Sequence, residues 1–524
     1  MEQVFCIDYS QIYKGEKSRV DIAATTIPEL VHRCKEKNDT AAIFHSEKFS
    51  LTFKSIQQES DRLALSFLSI GLSPHDRILL IGHNESLLLL SILASARSKL
   101  VFCVTSPNIT SSNQLSNLII QGSFKAVVLF KSHLGSEHLY NLLRECSPEL
   151  IGSEQGKLKS AVLPSLTHVI LSQDDHLHSG CFTLSQLLTQ SPSQGKKLAS
   201  LDGWNENEVA ALLHTSGSSA NPRLIGVSHF QLLGGARSVN HAFGITKEDK
   251  VAVCLPLHRG ALLSLLCLSP FFTHCTLIFP DAQPLPARLF QAISYHNCSL
   301  LLSNGAALRL LLKICKMHSS RLSSLLKILL IGERVPSDLL PCLQYHSPNV
   351  RTIATASIPL MGDQTINVSK QVGRPIAGYK TRLELLGGST TMGRLYVSAY
   401  EEVDQNGNYH IVTHEENLIY DERGRIFNHK PLEKILLLSE LIKGAQIIST
   451  GPGQPIVAVC VPKTVTFDGE RLKAELILVC RETGLPVPPF FAFLPDFPRT
   501  NTRIQKFKLR EWLREGKMEV LPSK

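Results

Sequence analysis

The sequence predicts an α/β protein whose larger part is built on doubly wound, mostly parallel sheets. Three observations carry that expectation. Short apolar runs alternate with amphipathic stretches through most of the chain, and strands alternating with helices require crossovers that cover both sheet faces. After Tyr379 the segments become short, alternating and glycine-separated, which suits a small antiparallel sheet or barrel. At 524 residues the chain exceeds one compact core, so two or three domains are expected.

The elements follow in order. "DRILLIGHN" (76–84) reads as a strand, "ESLLLLSILASARSKL" as a helix and "VFCVTS" as the next strand. "SSNQLSNLIIQG" is the following helix and "KAVVLF" (125–130) its strand. "VAVCLP", "CTLIFP", "SLLLSN" and "LKILLIGE" repeat the theme with helical spacers. The segment 190–208 reads as a polar linker. "KTRLELL", "GRLYVSA" and "NGNYHIVTH" form the β-rich stretch, placed at about 379–425 within a large domain of residues 1–425. A small α+β domain, 426–524, follows: helix "PLEKILLLSELIKG", strand "PIVAVCVP", helix "GERLKAELILVCRETG", strand "FFAFLP" and a basic tail.

Composition excludes several classes. Hydrophobic residues are 43% and charged residues 19%, the balance of an ordinary globular chain. The net charge of +9 comes with no dense Lys/Arg run, so nucleic acid is not an expected partner. Thirteen cysteines, most of them in apolar runs, show no CxxC pair or zinc-type spacing, which predicts reduced core thiols in an intracellular protein. The run Gly260–Phe279 approaches the length of a membrane span. Pro270 and His274 interrupt it, so a core helix followed by a strand is expected, with no transmembrane segment. The start "MEQVFCIDYS" shows neither a signal-peptide core nor an Arg-rich presequence. Nothing in the sequence bears on oligomeric state.

The stretch "HTSGSSANPRLIGVSH" (214–229) carries the chemistry. Its Ser, Thr and Gly residues suit a loop whose backbone amides and hydroxyls hold phosphate, and a solvent-facing connector remains an equal alternative. The stretch resembles the phosphate loop of the adenylate-forming (AMP-binding) superfamily, which reads Thr-Ser-Gly-Ser/Thr-Thr-Gly-x-Pro-Lys-Gly-Val with a histidine seven residues after the proline. Pro222 and His229 keep that spacing. "ESDRLALSFLSIGLSPHDRILLIGHN", "SPELIGSEQGKLKSAVLPSLTHVI", "VGRPIAG" (372–378) and "IQKFKLREWL" are similar to further family segments in the family's order. The 147–170 stretch and the last segment resemble the medium-chain fatty acyl-CoA synthetase branch, mitochondrial acyl-CoA synthetases among them.

The resemblance implies a reaction and a set of residues. A fatty carboxylate attacks the α-phosphate of ATP to give an acyl-adenylate and pyrophosphate, and the CoA thiolate then displaces AMP. Thr215, Ser216, Gly217, Ser218 and Ser219 are the implied phosphate contacts. Arg223 takes the loop lysine's place, keeping its charge in a different geometry. Ala220 and Leu224 replace loop glycines, and Ala220 is costly if the position needs a positive φ. Ser357 stands at a threonine of the motif that supplies a magnesium-binding glutamate, but the glutamate position holds Ile358, or Pro359 in the neighbouring register. No Mg2+ ligand is therefore assigned. Glu415 is the implied ribose-binding acid, with Asp421 as the fallback. Arg503 occupies the position of the catalytic lysine, which neutralises charge developing at the α-phosphate. The hinge segment expected after the ribose acid is absent. "PLHRG" stands where the family has Pro-Leu-Tyr-His, leaving His258 as either a core residue or a substrate contact.

Two functions follow. One is an ATP- and CoA-dependent fatty acyl-CoA ligase with an unusual site. The other is a catalytically impaired relative that keeps nucleotide or acyl binding or a scaffolding role. The altered loop, glutamate, hinge and lysine positions together favour weak or absent adenylation. A coding sequence assembled without the hinge segment is a third reading, though it leaves Ile358 unexplained. The implied compartment is mitochondrial by resemblance, and otherwise cytoplasmic.

Overall fold

The computed structural model describes residues 12–14, 25–172, 178–189, 198–201, 204–214, 224–283, 285–331, 339–357, 360–362, 374–375, 379–385, 393–399, 419–420, 426–427, 430–450, 454–464, 466–484, 486–500 and 503–523. Two large sheets dominate. The first runs Leu224–Ser228, Val209–His214, Val101–Thr105, Arg77–Ile81, Ala126–Leu129, His168–Leu171 and Cys181–Thr183, with only the Leu224–Ser228 edge antiparallel to its neighbour. The second has nine strands. Its parallel centre runs Thr352–Ser357, Lys327–Ile331, Leu300–Ser303, Lys250–Val253, Thr276–Phe279 and Thr40–Phe44.

The central strands form where the sequence alternation places them, because they are short apolar runs buried on both faces. Ile78, Leu79, Leu80 and Ile81 are each fully buried, as are Ala126, Val127 and Val128. Helices such as Ser86–Arg97 and Gly305–Met317 cover the sheets. The Gly260–Phe279 run divides as the sequence suggests, into the helix Gly260–Thr273 and the strand Thr276–Phe279, with His274 at φ 60° ending the helix. Phe279 then lies in register with Phe44, and their rings stack at 4.8 Å. No helix among the described residues is long and apolar enough to cross a membrane. The cysteines among the described residues are free thiols, all buried except the partly exposed Cys342.

The change of character after Tyr379 is real. Tyr379–Leu385 and Gly393–Ala399 pair antiparallel, and Ile12–Lys14 joins them as a third strand that the sequence pattern did not reveal. "NGNYHIVTH" lies outside the described residues. The chain ends in a smaller α+β domain with its own four-stranded sheet, Ile442–Ile448, Val457–Pro462, Phe490–Phe493 and Val520–Pro522.

Two local expectations change. The helix expected over "PLEKILLLSELIKG" spans only Lys430–Leu436, and Ile442 begins a strand. Leu437 and Leu438 sit exposed in the intervening turn, so a continuous apolar run concealed an element boundary. The 190–208 linker is also anchored. Trp204 is buried, with the Lys99 ammonium 4.4 Å and the Arg97 guanidinium 5.8 Å from its ring centroid, a cation–π arrangement.

Candidate functional site

In open parallel sheets, ligands bind beyond the carboxyl ends of the strands, where the winding direction reverses. In the first sheet the chain leaves Arg77–Ile81 toward one side and Ala126–Leu129 toward the other, so the reversal lies between them. In the second sheet the reversal lies between Lys250–Val253 and Leu300–Ser303. The two reversal points meet. Asn84, three residues beyond Ile81 and buried, donates from Nδ2 to the Leu255 carbonyl at 2.9 Å and accepts the Leu257 amide at 2.8 Å. One asparagine thus stitches the loop after the first sheet's central strand to the loop after the second's.

His83 Nε2 lies 3.0 Å from Gln283 Nε2, and its ring centroid is 6.3 Å from that of His133. Burial pushes His83 down to about 4; the nearby His133 adds to the effect and Asp281 opposes it. His258, in the segment that reads Pro-Leu-His-Arg, is pushed down to about 4 as well, by burial and then by Arg259 and His83. Its Nδ1 is buried without a hydrogen-bond partner. Both imidazoles are therefore neutral at physiological pH. Glu85 titrates in the opposite sense, raised to about 7 by burial and by the Glu47 charge against an opposing Lys131. Glu47 is itself occupied, accepting the Ser86 amide at 3.0 Å.

Thr215, Ser216, Gly217, Ser218, Ser219, Arg223, Ile358 and Glu415 lie outside the described residues, and so do Ala220, Pro222, Pro359 and Asp421. What frames the 215–223 segment is described. Val209–His214 leads in and Leu224–Ser228 leads out antiparallel, with His214 opposite Leu224. Leu224, at a loop-glycine position of the family pattern, begins the exit strand and, partly buried, packs against the core of the first sheet. His229 has a structural task. It opens the helix His229–Phe243 behind the capping box of Ser228 and Gln231, and its Nδ1 accepts the Ile27 amide at 3.3 Å. Burial pushes it down to about 4 in spite of Glu208 and Glu29. His214 is lowered by burial, and its Nε2 has no hydrogen-bond partner.

Ser357 ends the strand Thr352–Ser357 opposite Leu360, which puts it at a carboxyl end in the second sheet. Arg503 begins a two-residue strand opposite Thr500, in the small domain. Among the described residues no group of three or more His, Cys, Asp or Glu is arranged to hold a metal ion. Sequence reading missed Asn84, His83, His133, Gln283 and Glu85. A signal was present in "GHNE", directly after a buried strand, where parallel-sheet ligands are found.

Known proteins share this plan. A family model described as AMP-binding enzyme matches residues 30–391. The mitochondrial medium-chain acyl-CoA ligase ACSF2 of Bos taurus is 23% identical across 91% of this chain and 85% of its own length. Its Homo sapiens counterpart is 22% identical across 91% and 85%. ATP-bound MatB from Rhodopseudomonas palustris has the same fold, with a TM-score of 0.70 at 16% identity over 93% of this chain and 98% of that one. A long-chain-fatty-acid-CoA ligase, FadD1 from Archaeoglobus fulgidus, follows at a TM-score of 0.63 and 17% identity over 92% and 99%. With two doubly wound sheets joined at their reversal points and a family match spanning most of its length, the chain belongs to the AMP-binding enzyme family.

Proposed function

We propose that this chain is a fatty acyl-CoA ligase-like protein of the medium-chain class, taking ATP, a fatty carboxylate and CoA at the crevice where the two sheets meet. The Asn84 stitch carries the reading, because it brings both carboxyl-end crevices to one place, and the two medium-chain ligase relatives support the substrate class. In this reading the carboxylate displaces pyrophosphate from ATP, and the CoA thiolate then displaces AMP from the acyl-adenylate. Thr215, Ser216, Gly217, Ser218, Ser219 and Arg223 hold the phosphates, Glu415 the ribose, and Ser357 borders the nucleotide. Arg503 neutralises charge at the α-phosphate. Neutral His83 and His258 suit an acyl chain's passage better than cations would. The large domain ends at about residue 425. The names of the vertebrate relatives support a mitochondrial setting.

The second reading is binding without turnover, and Leu224 favours it, since a partly buried leucine packed against the core stiffens the exit of the phosphate loop. Pyrophosphate exchange with a panel of fatty acids, run beside ATP calorimetry, separates the two. Exchange that peaks with medium-chain acids and is lost in Arg503→Ala establishes the ligase. Silence in exchange with ATP still bound establishes the impaired relative.

A further inference from the structure

In the small domain, Lys506 Nζ lies 2.7 Å from Glu433 Oε1, and the side chains are 10% and 8% exposed. The same Oε1 accepts the Ile447 amide at 3.0 Å. One buried carboxylate thereby joins the helix Lys430–Leu436, the strand Ile442–Ile448 and the first residue of the helix Lys506–Arg514. A buried ion pair is poor as a stabiliser, because apolar residues of similar volume commonly match or exceed it. Lys506 also breaks a local rule: an ammonium in a helix's first turn opposes the helix dipole. A rule broken at a buried, costly position points to a task other than holding the domain together.

The pair adjoins a small hairpin. Arg499–Thr500 and Arg503–Ile504 form a small hairpin, Arg499 opposite Ile504 and Thr500 opposite Arg503. Its base closes where the Gln505 amide donates to the Pro498 carbonyl at 2.8 Å, one residue from Lys506. Gln505 is itself 5% exposed. We propose that the Lys506–Glu433 pair is a positioning device, fixing the base of the hairpin whose backbone presents Arg503 to the substrate's anionic centre. Arg503's own part rests on the ligase reading above; the positioning of the hairpin does not.

The test uses the full chain without ligand. Glu433→Gln/Lys506→Met removes both charges while leaving an amide oxygen to accept the Ile447 amide, and Lys506→Arg keeps the charge. Hydrogen exchange is expected to accelerate about tenfold at the Gln505 amide in the double variant, with the amides of residues 457–461 and the melting temperature held, and with Lys506→Arg keeping slow exchange. Unchanged exchange at the hairpin overturns the proposal. So does equal acceleration across residues 457–461, which marks the pair as general support for the domain. If the double variant does not fold, Glu433→Gln is read by the same criteria. Where the native chain is active, kcat should fall in the double variant while the KM for fatty acid holds. A native chain silent in pyrophosphate exchange removes the ligase reading and leaves the hairpin result standing.

Discussion

Asn84 is the residue on which the site's architecture depends. Its amide has one donor and one acceptor engaged with backbone groups that no strand ladder reaches. Asn84→Ala leaves the Leu255 carbonyl and the Leu257 amide unpaired in a buried setting, at roughly 1–3 kcal/mol for each unsatisfied group. Denaturant unfolding of the variant should show a loss of about 2–4 kcal/mol. Asn84→Asp should lose less at acid pH, where a protonated carboxyl again supplies a donor, and more at neutral pH. Equal stability of Asn84→Ala and the native chain would mean that the two loops are held together by something else. His229 teaches the converse lesson. Its spacing from Pro222 marked it as part of a phosphate motif, yet the contact it makes is to the Ile27 amide. The spacing is real, and its cause here is the packing of two helices at their starts.

At the scale of elements, the small domain shows how one close approach sets an angle. Gly444 lies in the strand Ile442–Ile448, and a Cβ there would come within 2.7 Å of the Phe497 ring. Phe497 is buried and precedes the hairpin base by one residue. Gly444→Ala must therefore displace the ring or the strand, at about 1–3 kcal/mol for overpacking, read as a lower melting temperature. Gly444→Ala/Phe497→Leu should recover part of that loss; no recovery would trace the cost to the backbone instead. Strands such as Arg77–Ile81 and Val457–Pro462 were legible in the sequence because doubly covered strands are short apolar runs bounded by turn residues. The break after Leu436 was not, since "LLLSELI" is apolar without a period and only tertiary contacts decide where it turns. Ser439 marks the place, its hydroxyl bound to Glu475 in the next helix and to the Leu441 amide. The Ile12–Lys14 strand was illegible for a related reason: three residues carry no alternation, and its partner lies at Tyr379–Leu385.

At the scale of the whole molecule, ancestry and activity rest on different parts of the chain. The sheets, their reversal points and the order of motifs come from many residues, so family membership survives at about one identical residue in four or five. Catalysis rests on a few side chains, and the positions that the resemblance implies are altered are spread over both domains, Ile358 in the large one and Arg503 in the small one. An isoleucine cannot ligate a cation, because it offers no lone pair. An arginine can neutralise charge, but its planar fork does not take an ammonium's place without a shift. If loss of these two groups is what separates the chain from a working ligase, Ile358→Glu/Arg503→Lys should raise pyrophosphate exchange at least about tenfold over the native chain, roughly 1.4 kcal/mol in the barrier. Each single variant should gain less, since the introduced carboxylate and lysine would serve the same phosphates and such groups combine non-additively. Exchange that stays at the native level while calorimetry still detects ATP would place the defect elsewhere, in the partly buried Leu224 or in the hinge segment that the resemblance implies is missing. Leu224→Gly in the double variant is then the next measurement: recovery would put the fault in the loop, and continued silence would put it in the hinge.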